Sequence, residues 1–310
     1  MFRIVWGYRG GIYDRGFVEM LNEFVRVEYP DVGQEYNIGE LYDTWFNASW
    51  FNPLDMCLAV GNGSVYGYSY VRVDTVPPRV IIRFDPRLSN SVVTNVVTGL
   101  LECSRHRLLS YGMTTPLVQL MASYEYRLLD RVYRSIFSHV IAKYTATLMK
   151  LDTKRYRVFR SKLGERRDLV FRHRGLESIK DIVEIYNDAF SIYPWFYPWS
   201  VEDAERFYKR YQNEIFAIIA YSSDEAIGYC DYRVYENISG SRIAYIYTLA
   251  VKKKYQRRGV GTALLVKAID YLLSSGIRDI YLDAVEGLEK YYLERGFTII
   301  NNSVSYIIEF

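Results

Sequence analysis

One order of elements occurs twice in this chain, and it limits the available folds more than any other feature. From residue 167 onward, apolar spacing predicts a strand (RDLVFRHR) followed by two helices (LESIKDIVEIYNDAF and SVEDAERFYKRY). Two strands around a Ser-Ser-Asp-Glu turn come next, then the strand SRIAYIYTLAV and a helix from Gly259 to Ser275. The strand RDIYLDAV, a short helix in GLEKYYLERGF and the strand SVSYIIEF close the half. The first half shows paired helices (GFVEMLNEFVRV and IGELYDTWFNAS) and a hairpin turning at Gly61-Asn62-Gly63. It continues with the strand PRVIIRFDP, the helix SNSVVTNVVTGLLECSRHRLL, the segment TPLVQLMAS, a helix near YEYRLLDRVY and the strand TATLMKL. Two similar plans in 310 residues imply a tandem duplication. The boundary is expected at 152/153, and the charged stretch DTKRYRVFRSKLGERRD reads as a solvated connector.

The most informative junction is LAVKKKYQRRGVGTALL, Leu249 to Leu265. An apolar strand turns into an apolar helix across five basic residues and two glycines. A helix start offers unpaired N–H groups and a partial positive charge, which suit an anion. Glycine lets that anion approach the backbone closely. The amides from Arg257 to Thr262 are therefore expected to converge on a phosphate or diphosphate. The spacing is neither that of a nucleotide P-loop nor that of a dinucleotide fingerprint.

The run Gln256-Arg257-Arg258-Gly259-Val260-Gly261, following a strand that ends Leu249-Ala250-Val251, resembles the acyl-CoA motif Q-x-x-G-x-G/A of the GNAT N-acetyltransferases. The segment YYLERGF resembles the Y-x-x-x-G-F element of that family, with Tyr292, Gly296 and Phe297 in place. The resemblance is close over residues 167–310 and extends over residues 1–150 as a pattern of elements. It implies a mixed α/β (α+β) fold of two tandem GNAT-like domains, similar in layout to tandem members such as mycothiol synthase. Each would be a mostly antiparallel mixed sheet flanked by helices. Residues 1–152 would be a degenerate domain lacking the CoA motif, and residues 153–310 the catalytic domain.

The resemblance also implies acetyl transfer from acetyl-CoA, as cosubstrate, to a primary amine of a small molecule or peptide. Leu249, Ala250, Val251, Gln256, Arg257, Arg258, Gly259, Val260, Gly261 and Thr262 would bind the cosubstrate, with the pantetheine arm along a splayed strand edge. A backbone amide near Leu249 would hold the oxyanion. Tyr292 would be the general acid, and Tyr291 reads as a core residue. The strand before the turn carries Tyr245, Tyr247 and Thr248 and no carboxylate, so Asp231, Glu236 and Asp283 are the alternatives for a base. The loop Ser191–Ser200 holds five aromatics and two prolines, which suit an apolar acceptor or packing against the first half. In that half Leu128 and Val132 stand where Tyr292 and Gly296 stand in the second, and the turn after VIIRF carries Asp85 in place of the glycine motif. No productive CoA binding is expected there. A non-catalytic acyl-CoA sensor or scaffold, and a protein lysine or N-terminal acetyltransferase, are the rival readings.

Net charge is +3 and the basic residues lack an aromatic platform, which disfavours nucleic acid. Cys57, Cys103 and Cys230 form no CxxC pair, and His106, His139 and His173 lack ligand spacing. The expectation is therefore no metal, no disulfide framework and a cytoplasmic protein. No apolar run is long enough to span a membrane.

Overall fold

The computed structural model describes residues 2–47, 51–73, 78–113, 117–121, 140–164, 166, 168–174, 176–193, 196, 198–211 and 213–309. The chain divides into two compact units. The first comprises Met1–Thr145, Asn237–Ser239 and Asn302–Phe310, and the second Ala146–Glu236 and Gly240–Asn301. The main division thus falls after residue 145, ahead of the expected 152/153. Residues 302–310 group with the first unit, against the expectation that placed them in the second.

In the first unit, β1 (Arg3–Trp6), β2 (Met56–Gly61), β3 (Ser64–Arg72) and β4 (Arg79–Phe84) pair antiparallel in that order. β5 (Leu117–Met121) then pairs parallel with β4. Its other partner is the end of the final strand: Ser305 to Glu309 run antiparallel to β5. Helix α1 (Asp14–Glu28) and the single turn α2 (Ile38–Leu41) cover one face of the sheet around Phe17, Met20 and Leu58. α3 (Asn90–Ser110) covers the other through Val93, Val97 and Leu100. The helix expected across IGELYDTWFNAS ends at Leu41 and passes into a wider turn over Tyr42–Phe46. Aromatic rings fill that face: Trp45 meets Phe17, Tyr68 and Tyr70 edge-on. The helix expected near YEYRLLDRVY, with Leu128 and Val132, lies outside the described residues.

Cys57 on β2 and Cys103 on α3 are disulfide-bonded, 46 residues apart. This corrects the expectation of no disulfide. The long spacing gives no local signal, and only the packing of α3 onto β2 brings the thiols together. The reducing compartment inferred from the cysteine pattern loses its support.

The second unit repeats the plan. β7 (Val170–Arg174), β8 (Ile215–Ser222), β9 (Glu225–Glu236) and β10 (Arg242–Val251) pair antiparallel in order, and β11 (Ile280–Val285) joins β10 in parallel. Residues 146–150 of β6 (Val140–Leu151) pair antiparallel with β11. The stretch expected as a connector contains a helix, α4 (Thr153–Arg160), capped by the Asp152 carboxylate. Its Tyr156 is buried and donates to Asp270, which also takes Arg160. Basic residues mask the helix in the sequence, but one tyrosine anchors it into the core.

α5 (Ile179–Phe190) and α6 (Val201–Arg210) cover one face of this sheet, burying Ile182, Ile185 and Ala204. Ser200 and Asp203 form a reciprocal cap at the start of α6. α7 (Val260–Ser274) covers the other face with Leu264, Leu265, Ala268 and Ile269. The short α8 (Glu289–Leu293) leads into β12 (Phe297–Glu309) through Gly296. At φ +93°, a Cβ on Gly296 would stand 2.5 Å from the Tyr156 amide nitrogen, so only glycine fits. Among the described residues no helix is long and apolar enough to cross a membrane.

Candidate active site

The parallel pairing of β10 with β11 covers only Ala244–Ile246 against Ile280–Leu282. Beyond it β10 runs on to Val251 and β11 to Val285 with no mutual register, so the sheet opens at this point. A bulge marks the opening: Ile246 faces Tyr232 and Thr248 faces Asp231, leaving Tyr247 as the extra residue. Leu249, Ala250 and Val251 remain paired to β9 through Cys230, Tyr229 and Gly228. Their other edge faces the opening.

The chain leaves β10 through a short 3-10 turn and enters α7. Gly259 takes the helix-capping position at φ +79°, and Arg257 is left-handed too at φ +59°. Alternating hands turn successive N–H groups toward one side, the backbone arrangement of an anion nest. No side chain caps α7, so its first-turn amides keep the exposed donors of a helix start. The Gln256 amide donates to the Val251 carbonyl over 2.9 Å and ties the turn to the strand end. Arg257 and Arg258 are exposed, Val260 is buried, and Gly261 and Thr262 are half-buried.

The lysines of the junction face elsewhere. Lys252 is buried and pairs with Glu184 and Glu225, while Lys254 and the Tyr255 hydroxyl also hold Glu225. These donors keep the Glu225 carboxyl far below its usual range, at about 2. The Lys253 ammonium bonds to Ser191. Three of the five basic side chains therefore serve the junction itself.

Two other cations reach the turn instead, and no spacing in the sequence marks either. Arg295 donates to the Thr262 hydroxyl over 3.2 and 3.1 Å and lies 3.6 Å above the Tyr291 ring. Arg166 donates to the Arg258 carbonyl while its other nitrogens grip Asp168. A long side chain arriving from another element carries no spacing signature. Tyr291 is half-buried, packs against the core as expected and also borders the turn, with its hydroxyl 3.3 Å from Thr262. Tyr292 is buried edge-on against Tyr291 and Phe297. Burial pushes its phenol well above the usual range. Tyr292 shares one apolar cluster with Cys230, Val251 and Val260, and Leu249 packs against that cluster. The Tyr291–Thr262 contact brings α8, which also carries Tyr292, to the helix start.

Residues 179–297 match the profile of the acetyltransferase (GNAT) family. The chain carries a GNAT acetyltransferase domain. The likeness in fold extends further than this domain. A GCN5-related N-acetyltransferase from Sphaerobacter thermophilus superposes with a TM-score of 0.68 at 14% identity, over 99% of this chain and 95% of that one. A tandem GNAT protein from the clavulanic acid biosynthesis pathway gives 0.67 at 12% identity, over 100% and 98%. A GNAT-family acetyltransferase from Colwellia psychrerythraea gives 0.54 at 10% identity, over 99% of both chains. At these identities the likeness is one of fold, and the fold is that of tandem GNAT proteins. No curated protein matches the sequence.

On the α5–α6 face of the GNAT domain, Tyr245 donates to Asp283 over 2.6 Å, and Tyr247 meets Phe207 edge-on at 5.8 Å. Arg233 lies between Tyr211 and Tyr235, at 4.1 and 4.6 Å from their rings, and pairs with Glu214. Asp231 is fully buried and accepts from the Tyr208 hydroxyl over 2.7 Å. Desolvation raises its carboxyl to about 6, although the Tyr208 and Thr248 groups favour the ionised form. Glu236 pairs with Arg242 at the opposite end of the β9–β10 ladder and is remote from the bulge. Of the loop Ser191–Ser200, Trp199 stacks on Tyr186 at 4.8 Å and is clamped by both ends of the Asn187 amide. That tryptophan packs within its own unit. Pro194, Trp195 and Tyr197 lie outside the described residues.

Proposed function

We propose that the second unit transfers the acetyl group of acetyl-CoA to a primary amine, and that the first unit binds no CoA. The observation that carries the reading is the coincidence of the opened β10–β11 edge with the uncapped turn at Arg257–Thr262. The residues fit the cosubstrate. Backbone donors from Arg257 to Thr262, with Arg258 and Arg295 beside them, suit a diphosphate. The outer edge of Leu249-Ala250-Val251 suits an amide-bearing arm laid down as an added strand. Bound there, acetyl-CoA supplies an acyl group activated as a thioester.

The protein's own groups then have three tasks. The amide near Leu249 donates to the oxygen on which negative charge develops. Tyr292 gives its proton to the departing sulfur; burial keeps the phenol protonated through neutral pH, the state from which an acid must start. The face lined by Phe207, Tyr211, Tyr245, Tyr247 and Asp283 receives the acceptor. Aromatic rings beside carboxylates suit an ammonium carried on an apolar body. Orientation of the two substrates supplies much of the acceleration.

The test is thiol release from acetyl-CoA by the full chain across a panel of small amines, polyamines, amino acids and peptides. Tyr292→Phe is expected to lower kcat by about 10²-fold or more, with little change in acetyl-CoA affinity. Equal losses in kcat and affinity would remove the acid role. Tight binding without turnover of any amine would make the protein an acyl-CoA sensor instead.

A further inference from the structure

Three buried polar atoms of the GNAT domain lack partners among the described residues, Asp231 Oδ1, Tyr229 Oη and Tyr232 Oη, and the first two lie on one face of one strand. The side chains of Asp231 and Tyr229 are fully buried. They stand two residues apart on β9, so both point under α5 and α6. Thr248 faces Asp231 across the ladder, and Ala250 faces Tyr229. The Thr248 hydroxyl lies beside both groups, close enough to favour their ionised forms. Buried polar atoms are rarely left unpaired, and an orphaned pair beside a hydroxyl has the chemistry of a water site. Thr248 adjoins the bulged, 41%-exposed Tyr247 on one side and Leu249 on the other. The orphaned pair therefore sits directly behind the backbone on which the acyl group is expected to rest.

We infer that Asp231 is the terminal proton acceptor of the reaction, reached from the acceptor amine through a water held by Asp231 Oδ1, Tyr229 Oη and the Thr248 hydroxyl. The inference rests on the acetyltransferase reading above. One N–H bond of the ammonium breaks, and its proton passes along the water to the carboxylate. The freed nitrogen lone pair forms the C–N bond, and the C–S bond breaks with its electron pair going to sulfur. Sulfur takes the Tyr292 proton, and the second nitrogen proton leaves to restore the phenol. One proton in total is released to solvent from Asp231. Asp231 does not touch the amine; it acts through the relay.

The surroundings suit this task. The groups facing Asp231 are Tyr208 from α6, Tyr229 from β9, and Tyr247 and Thr248 from β10, while the adjacent Cys230 points to the opposite face of the sheet. The nearby cation on that face, Arg233, is engaged by Glu214. A carboxylate desolvated to this extent titrates at about 6, so it is ionised at neutral pH yet basic enough to hold a proton. Asp283, by contrast, is exposed and already accepts from Tyr245.

The experiment compares the full chain with Asp231→Asn, Thr248→Val and Asp283→Asn, following kcat/KM against pH with the best amine of the panel. The parent is expected to show an acid limb near pH 6. Asp231→Asn should abolish that limb and lower kcat by about 100-fold, at unchanged acetyl-CoA affinity. Thr248→Val should lower kcat by about tenfold and keep the limb. Melting temperatures supply a readout independent of turnover. A folded-state pKa raised above the unfolded value stabilises at low pH, and that contribution is lost as pH rises through 6. The melting advantage of Asp231→Asn over the parent should therefore grow from pH 5 to pH 8. A limb that persists in Asp231→Asn, or vanishes in Asp283→Asn, overturns the assignment, as does a melting difference that ignores pH. An inactive parent overturns the acetyltransferase reading itself, a separate result.

Discussion

The two strand-to-helix turns, Phe84–Asn90 and Val251–Val260, occupy the same place in the two units and differ in what fills them. In the second unit the backbone bends through two left-handed residues and leaves its donors open. In the first, Asp85 is buried in the turn and accepts from the Arg87 amide and from two of its guanidinium nitrogens. A carboxylate already stands where an anion would have to go. Both units keep the parallel pair flanking the turn, β4 with β5 and β10 with β11. Duplicated architecture is thus preserved by packing, while the ability to bind an anion rests on a few backbone angles and one charge.

The units also differ in how they are held together, and this difference offers the largest expected effect. Cys57 and Cys103 close a 46-residue loop in the first unit, whereas Cys230 of the second is free and buried. In the chain-entropy view such a cross-link contributes about 4 kcal/mol. Calorimetric melting of Cys57→Ser/Cys103→Ser should show the transition of the first unit lowered and that of the second unmoved. An unchanged first transition would remove the disulfide from the account. A smaller effect sharpens the contrast between the turns. Arg295→Ala strips a cation and its ring contact from the second turn, with no counterpart loss in the first. Acetyl-CoA affinity should fall about tenfold, consistent with one charge-assisted contact. Unaltered affinity would leave Arg295 a structural brace for Thr262.

Much of this was legible in the sequence because it is written in local pattern. Helical spacing gave α5 and α7, alternation gave the hairpin β8–β9, and the run from Gln256 to Gly261 located the turn. What escaped depends on contacts distant along the chain. The strand β1 is four residues long and is defined by its pairing with β2. The pairing of 305–309 with β5 joins residues far apart in the sequence. Lys252 and Lys254 read as free charges until the glutamates of α5 and β9 appear beside them. Asp231 was one carboxylate among three, and its burial behind the bulge singles it out.

The most direct test is calorimetric titration of the full chain with CoA, for the parent, Gly259→Asp and Asp85→Ala. At Gly259 a side chain meets a left-handed backbone, which costs about 1–2 kcal/mol, and the carboxylate copies the charge that closes the first turn. One site per chain is expected in the parent, unchanged in Asp85→Ala and lost in Gly259→Asp. Two sites per chain, or binding that survives Gly259→Asp, would contradict this.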